Sequence, residues 1–197
     1  MNKDILVCGV GGQGTVLASK LIASAAMSLG NTVHSAETIG MAQRGGSVTS
    51  HIRIGTQAFS PLIPGGSADV ILAFEPAEAV RNLSYLKKDG VVIVNSTPVK
   101  PVTESLNDTG YDGADMISYL QTKCECIVVD AEKLCSRFGS TRYFNVAILG
   151  VATGTGRLGL NTETLLKEIE MRVPAKFADI NQAAFMAGVQ FSNRKDA

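Results

Sequence analysis

The sequence predicts an α/β protein: a three-layer α/β/α sandwich on a mixed, mostly parallel sheet, with a Rossmann-like start but not a full Rossmann fold. Three observations carry this. An apolar run at residues 5–8 passes through Gly9-Val10-Gly11-Gly12-Gln13-Gly14 into an alanine-rich stretch with helical spacing, which is the order strand, glycine turn, helix. Later apolar runs at 69–75, 91–95 and 126–130 are nearly continuous instead of alternating, as in strands covered on both faces. Between these two parts, the segment after Glu37 does not supply the crossover helix a Rossmann unit requires. Gly40-Met41-Ala42-Gln43-Arg44-Gly45-Gly46 leads directly into another strand, 47–55, so this part of the sheet is hairpin-like and the sheet is mixed.

Taken in order, the helix after the glycine turn spans 13–29 and ends at Gly30-Asn31, residues suited to a helix C-cap. A second strand at 32–38 carries Glu37, 23 residues after Gly14, near where a dinucleotide fold places the acid that grips the adenine ribose. In the third strand Val48, Ser50, Ile52 and Ile54 share one face; Ser47, Thr49, His51 and Arg53 share the other, a polar face expected to be solvated or at an interface. The prolines and glycines of 59–66 exclude regular structure and leave an apolar, exposed loop. Pro76 starts a helix to Tyr85, consistent with proline's preference for the first helical position, and Lys88-Asp89-Gly90 forms a turn before the 91–95 strand. A long irregular connection covers 97–113, strand 126–130 follows, and a short helix over 131–138 stops at Gly139. The remainder is helical: an apolar helix opened by Asn145, an amphipathic one at 162–172, and a last one at 174–191 before a frayed 192–197 tail.

Composition excludes several function classes. Hydrophobic residues make up 45% of the 197 and charged residues 18%, so the chain can bury a core, and one domain, 1–197, is expected. Eighteen basic against eighteen acidic residues leave no net charge, which argues against nucleic-acid or membrane-surface binding and suits a surface partly covered by a partner. There is no apolar run of the roughly 18 residues a membrane span needs, nor a cleavable signal pattern, so the expected location is cytoplasmic. Cys8, Cys124, Cys126 and Cys135 lack the C-x-x-C pairs of zinc or ferredoxin-type sites and read as free thiols.

Candidate chemistry is sparse. The glycine turn has two readings: backbone N–H groups at the start of the following helix can hold an anion, or the glycines only permit close packing of helix on strand. Glu75, at the carboxyl end of a strand, is the best-placed carboxylate for ligand chemistry, with capping of the helix at Pro76 as the alternative. No Ser/His/Asp constellation, metal cluster, nucleophile elbow or P-loop lysine is present. On these grounds the catalytic set is empty, and the chain reads as a binding or accessory domain.

Four stretches together resemble a known family: Gly9 to Gly14; Gly40-Met41-Ala42-Gln43-Arg44-Gly45-Gly46-Ser47-Val48; Ser60-Pro61-Leu62-Ile63-Pro64; and Phe74-Glu75-Pro76. With Asn145 before its apolar helix and Asn181-x-x-x-Phe185-x-x-Gly188, they are similar to the gamma domain of 2-oxoacid:ferredoxin oxidoreductases, in particular the small beta subunit of indolepyruvate ferredoxin oxidoreductase. The resemblance implies a subunit of an enzyme that oxidatively decarboxylates a 2-oxoacid, with an aryl pyruvate such as indolepyruvate favoured, to an acyl-CoA and CO2 while reducing ferredoxin. It implies that thiamine diphosphate, Mg and [4Fe-4S] clusters lie on a larger catalytic partner subunit, that coenzyme A is used by the complex, and that this chain alone is inactive. On this basis Gly9, Gly11, Gly12, Gln13, Gly14 and Thr15 are the candidate cofactor-binding turn. Gln43, Arg44, Gly45, Gly46, Ser47, Glu75 and Asn145 are candidates for the border with the partner and its active site. The alternative is an independent Rossmann-type nucleotide-binding module using the glycine turn and Glu37.

Overall fold

The computed structural model describes residues 1–40, 45–56, 59–99 and 110–195. Six strands form one sheet: β1 (Lys3–Val10), β2 (Val33–Ile39), β3 (Ser47–Ile54), β4 (Ala68–Ala73), β5 (Leu86–Asn95) and β6 (Glu125–Val129), in the spatial order β2-β3-β1-β4-β5-β6. The pairs β1·β4, β4·β5 and β5·β6 are parallel, whereas β3 runs antiparallel to both β1 and β2. The predicted mixed, mostly parallel sheet is therefore present. The register Ile5↔Ile52 and Ile5↔Val70 sets the alternation that feeds two separate cores.

Ile5, Val7, Ile52, Val70, Leu72 and Ile93 point to one face, where they meet α1 (Thr15–Ser28), α5 (Phe144–Gly154), α6 (Thr162–Arg172) and α7 (Ala178–Lys195). Leu6, Cys8, Ile71, Ala73, Val92 and Val94 point to the other, covered by Ala79 of α2 (Pro76–Arg81), Leu120 of α3 (Ala114–Lys123) and Ile63 from the 59–66 loop. The result is helix layer, sheet, helix layer, as the sequence predicts. A short α4 (Ala131–Cys135) continues as a 3₁₀ turn and ends at Gly139 in the left-handed region.

The topology removes the independent Rossmann reading. In that fold the second strand lies parallel beside the first; here β3 lies between β1 and β2. Glu37 is thereby displaced by two strand spacings, about 10 Å, from the glycine turn. It lies exposed on the α1 side, where its carboxylate accepts from Ser19 Oγ at 3.3 Å.

Four other expectations change. The polar face of β3 is not solvated at His51, which is 4% exposed: Nδ1 accepts from the Ile63 backbone N–H at 3.2 Å and the ring meets Tyr85 edge to face. Arg53, on the same face, ion-pairs with Asp4 and donates to the carbonyls of Ser60 and Leu62, so this face is the seat of the 59–66 loop. The expected turn at residues 88–90 lies inside β5, where the register jumps from Ala68↔Leu86 to Val70↔Val91. Helix α3 follows the irregular connection where no element was expected. Finally, the last helix does not stop at 191: Ser192 is buried and donates from Oγ to the Val151 carbonyl at 2.8 Å, tying α7 to α5. Among the described residues no helix is long and apolar enough to cross a membrane.

Candidate functional site

The glycine turn sits at the carboxyl end of β1 and is closed by its own glutamine. Gln13 accepts the Val10 N–H at Oε1 (2.8 Å) and donates from Nε2 to the Phe74 carbonyl at 2.9 Å, latching the turn to the end of β4. Asn95, at the end of β5, donates to the same carbonyl at 3.2 Å. Space explains Gly9: a Cβ there would lie 2.7 Å from Gln13 Oε1 and 2.9 Å from both Phe74 Cβ and Thr15 Cγ2. Gly14 is constrained by both conformation and space. As N-cap of α1 it takes φ 82°, and a Cβ would meet Asn145 Nδ2 at 2.5 Å. Gly12 is also left-handed, at φ 100°.

Asn145, a candidate for the border with the partner, is thus brought against the turn. Its Oδ1 accepts from the Val146 N–H at 2.9 Å, leaving Nδ2 as a donor beside Gly14. Between turn and helix lies a cleft of about 340 Å³ bordered by Gly12, Gln13, Asn95, Glu132, Arg142 and Asn145, outside the carboxyl ends of the parallel strands. Ligands in open α/β sheets gather at such ends. Arg142 is exposed, and its guanidinium makes no ion pair or hydrogen bond among the described residues. The first turn of α1 has no side-chain cap and no acidic residue, so its N–H groups remain available to an anion. A planar cation, an amide N–H₂ and a helix N-terminus around one cleft favour a phosphate or carboxylate.

Of the border candidates, Gly45 and Gly46 lie directly against the turn. Gly11 N–H donates to the Gly46 carbonyl at 2.8 Å, and Gly45 N–H to the Gly11 carbonyl at 3.4 Å. Ser47 donates from Oγ to Glu78 Oε2 at 2.6 Å. Gln43 and Arg44 lie outside the described residues. Glu75 is placed differently from a surface contact: it is 2% exposed and N-caps α2 by accepting from the Glu78 N–H at 2.9 Å, while Tyr111 OH donates to its other oxygen at 2.6 Å. Burial, with the neighbouring Glu75 carboxylate, pushes the Tyr111 phenol above its ordinary range and keeps it a donor. Cys8, on β1, lies buried in the smaller core with Ala79 of this helix, and burial raises its thiol far above normal, which makes it unreactive. Cys135 is pushed up to about 11 by burial. None of the four cysteines is in a disulfide, and among the described residues no three His, Cys, Asp or Glu are grouped to hold a metal ion.

Arg142, Asn95, Glu78 and Tyr111 were not singled out by sequence reasoning. Arg142 precedes Asn145 by three residues at the mouth of an apolar helix, and Glu78 follows Glu75 by one helical turn; these spacings were the available signals.

Residues 4–191 match the family described as pyruvate ferredoxin/flavodoxin oxidoreductase. The chain is 38% identical over 190 residues to the indolepyruvate oxidoreductase subunit IorB of Pyrococcus horikoshii, covering 95% of this chain and 94% of that one. In fold it is similar to the gamma subunit of keto/oxoacid ferredoxin oxidoreductase from Geobacter sulfurreducens, with TM-score 0.71, 22% identity, and 98% and 99% of the two chains covered. It also resembles part of 2-oxoglutarate:ferredoxin oxidoreductase from Magnetococcus marinus, solved with 2-oxoglutarate, coenzyme A and succinyl-CoA, with TM-score 0.73 and 18% identity over 98% of this chain and 31% of that one.

Proposed function

We propose, from the premise that the chain belongs to the pyruvate ferredoxin/flavodoxin oxidoreductase family, that it is the small subunit of a 2-oxoacid:ferredoxin oxidoreductase acting on an aryl pyruvate such as indolepyruvate. The observation that carries this reading is the 38% identity to a subunit named for indolepyruvate along almost the full length of both chains. In the complex a 2-oxoacid is oxidatively decarboxylated to an acyl-CoA and CO2, and ferredoxin takes the electrons. Thiamine diphosphate with Mg supplies carbanion stabilisation and [4Fe-4S] clusters supply electron transfer, both on the larger partner subunit. This chain acts as a single gamma-type domain in the cytoplasm and contributes binding surface to that assembly.

Its own residues have one chemical task in this reading, which is to hold the anionic part of coenzyme A. The turn at Gly12 and Gly14 and the uncapped start of α1 offer N–H groups, Asn145 an amide donor and Arg142 a two-pronged cation, around one cleft. Gly45, Gly46 and Ser47 form a rim on the β3 side of the turn, while Glu75 caps α2, whose Glu78 accepts from Ser47. This rim faces the partner subunit, for which Gln43 and Arg44, outside the described residues, are proposed as contacts.

The test is reconstitution. The isolated chain, given thiamine diphosphate, Mg and coenzyme A, is expected to reduce no viologen dye with any 2-oxoacid, whereas the chain assembled with its larger subunit turns over indolepyruvate faster than pyruvate or 2-oxoglutarate. Turnover by the chain alone would remove the subunit reading, and preference for a small aliphatic 2-oxoacid would remove the aryl assignment.

A further inference from the structure

We propose that Glu78 is a positioning residue for coenzyme A use: through Ser47 it holds Gly45 and Gly46 against the glycine turn, a role that rests on the reading of that turn given above. A carboxylate only 3% exposed has lost its water and must be satisfied by the protein. Glu78 Oε1 pairs with Arg81, whose side chain is largely in solvent, so that contact fixes nothing beyond the helix. Its Oε2 accepts from Ser47 Oγ at 2.6 Å, and this contact reaches the site. Ser47 opens β3, and its carbonyl accepts from the Gly40 N–H at 2.9 Å. The two residues before it take up both the N–H and the carbonyl of Gly11.

Two glycine segments facing each other have no side chains with which to hold their spacing, which rests on the two backbone hydrogen bonds of Gly11 with Gly45 and Gly46. Contacts from outside steady that pair. On one side Gln13 latches the turn to β4; on the other the Ser47 hydroxyl is held by Glu78 on α2. Replacing the acceptor leaves that hydroxyl unpaired, and the Gly45 to Gly46 rim is released from α2 while β3 itself stays paired with β1. A site that grips phosphate through backbone N–H groups depends on placement at the ångström scale.

The experiment uses the reconstituted complex with coenzyme A varied at saturating 2-oxoacid. Glu78→Leu and Ser47→Ala are each expected to raise the KM for coenzyme A about tenfold, the scale of a lost hydrogen bond to a charged group, with kcat and the KM for the 2-oxoacid held within about twofold. The double variant should be no worse than either single one, because both remove the same contact. Glu78→Gln, which retains an acceptor for Ser47, should restore the KM. Should Glu78→Leu fail to assemble, Ser47→Ala and Glu78→Gln carry the test together. Arg142→Ala separates the two levels of inference. If it raises the KM for coenzyme A while Ser47→Ala does not, the positioning role is overturned and the coenzyme cleft stands. If neither variant moves that KM, the cleft reading itself falls. A loss spread equally over kcat and both KM values would show Glu78 to be structural only.

Discussion

His51 sits on the face of β3 opposite the helices that cover the larger core, where its contacts favour the neutral ring. Nδ1 must be unprotonated to accept the Ile63 N–H, and burial lowers the imidazole pKa below its ordinary 6.5. The unfolded chain therefore binds a proton at this residue more readily than the folded one. Stability from this residue is complete above about pH 6.5 and is lost as pH falls from there through the folded pKa, at no more than about 1.4 kcal/mol per pH unit. Asp69 acts in a separate window. Burial pushes its carboxyl up, but hydrogen bonds from Lys87 and the Asp4 N–H, with the charges of Lys3 and Lys87, hold it net below 3.8. Its contribution is present above 3.8 and disappears only as pH falls through the lower folded value. Urea melts at pH 7 and pH 5 should thus show wild type losing stability while His51→Gln, which keeps an acceptor and cannot titrate, loses markedly less. Equal losses in the two proteins would assign the acid sensitivity elsewhere.

At the scale of elements, α5 packs closely against α7. Residues 146 to 153 of α5 are all buried, which suits a helix that is apolar on every side and enclosed between the sheet and another helix. The close approach is made by Gly150 and Gly188. A Cβ on Gly188 would lie 1.9 Å from the Ala147 carbonyl oxygen, and one on Gly150 would lie 2.0 Å from that of Phe185. Backbone cannot yield as a side-chain tip can, so Gly188→Ala forces the helices apart. The expected cost is about 3 kcal/mol, or a fall in Tm of roughly 6–12 °C for a chain of this size. Ala183→Gly, on the exposed side of the same helix, should cost only about 1 kcal/mol. Calorimetry on the two variants decides the matter, and similar losses would mean that α5 and α7 can separate freely.

The same scale explains what the sequence could and could not disclose. Helix α6 was legible to the residue because Asn161 caps it by accepting from the Thr164 N–H and the apolar spacing is regular. Helix α3 was not: it buries only Leu120, so there is little apolar stripe to read. The first half of β5 was masked by good turn chemistry at 88–90, which lost to pairing with Ala68 and to the Lys87 contact with Asp69. In the candidate site, the glycine turn was legible because positive φ and close packing call for glycine, whereas Asn145 was named only through the family resemblance. Arg142 and Glu78 were not, since only the sheet order brings the start of α5 and the rim of β3 to one end of the strands. Ser192 was lost for a simpler reason: a polar residue near a chain end looks solvated until its carbonyl partner on α5 is known.

For the whole molecule, charge and exposed apolar surface act together. The chain has no net charge and a pI of about 6.7, while Phe59 is 94% and Met171 77% exposed, with Leu62 and Met27 each more than half so. Scattered apolar residues are normal on a surface, but Phe59 and Leu62 belong to a loop held rigidly from beneath by Arg53 and by Ile63 in the core. Little charge repulsion opposes contact between such surfaces near neutral pH. The isolated chain is therefore expected to self-associate most strongly near pH 6.7 and to become more dispersed by pH 8.5 as net negative charge accumulates. Adding the larger subunit should suppress self-association and raise the Tm by mass action, since a partner that binds only the folded state stabilises it in proportion to RT ln(1 + [L]/Kd). Light scattering and thermal melts across that pH range, with and without the larger subunit, measure both effects. A chain that stays monomeric at pH 6.7 near 100 μM, and whose Tm is indifferent to the larger subunit, would mean that its apolar surface is adapted to water and not to a partner.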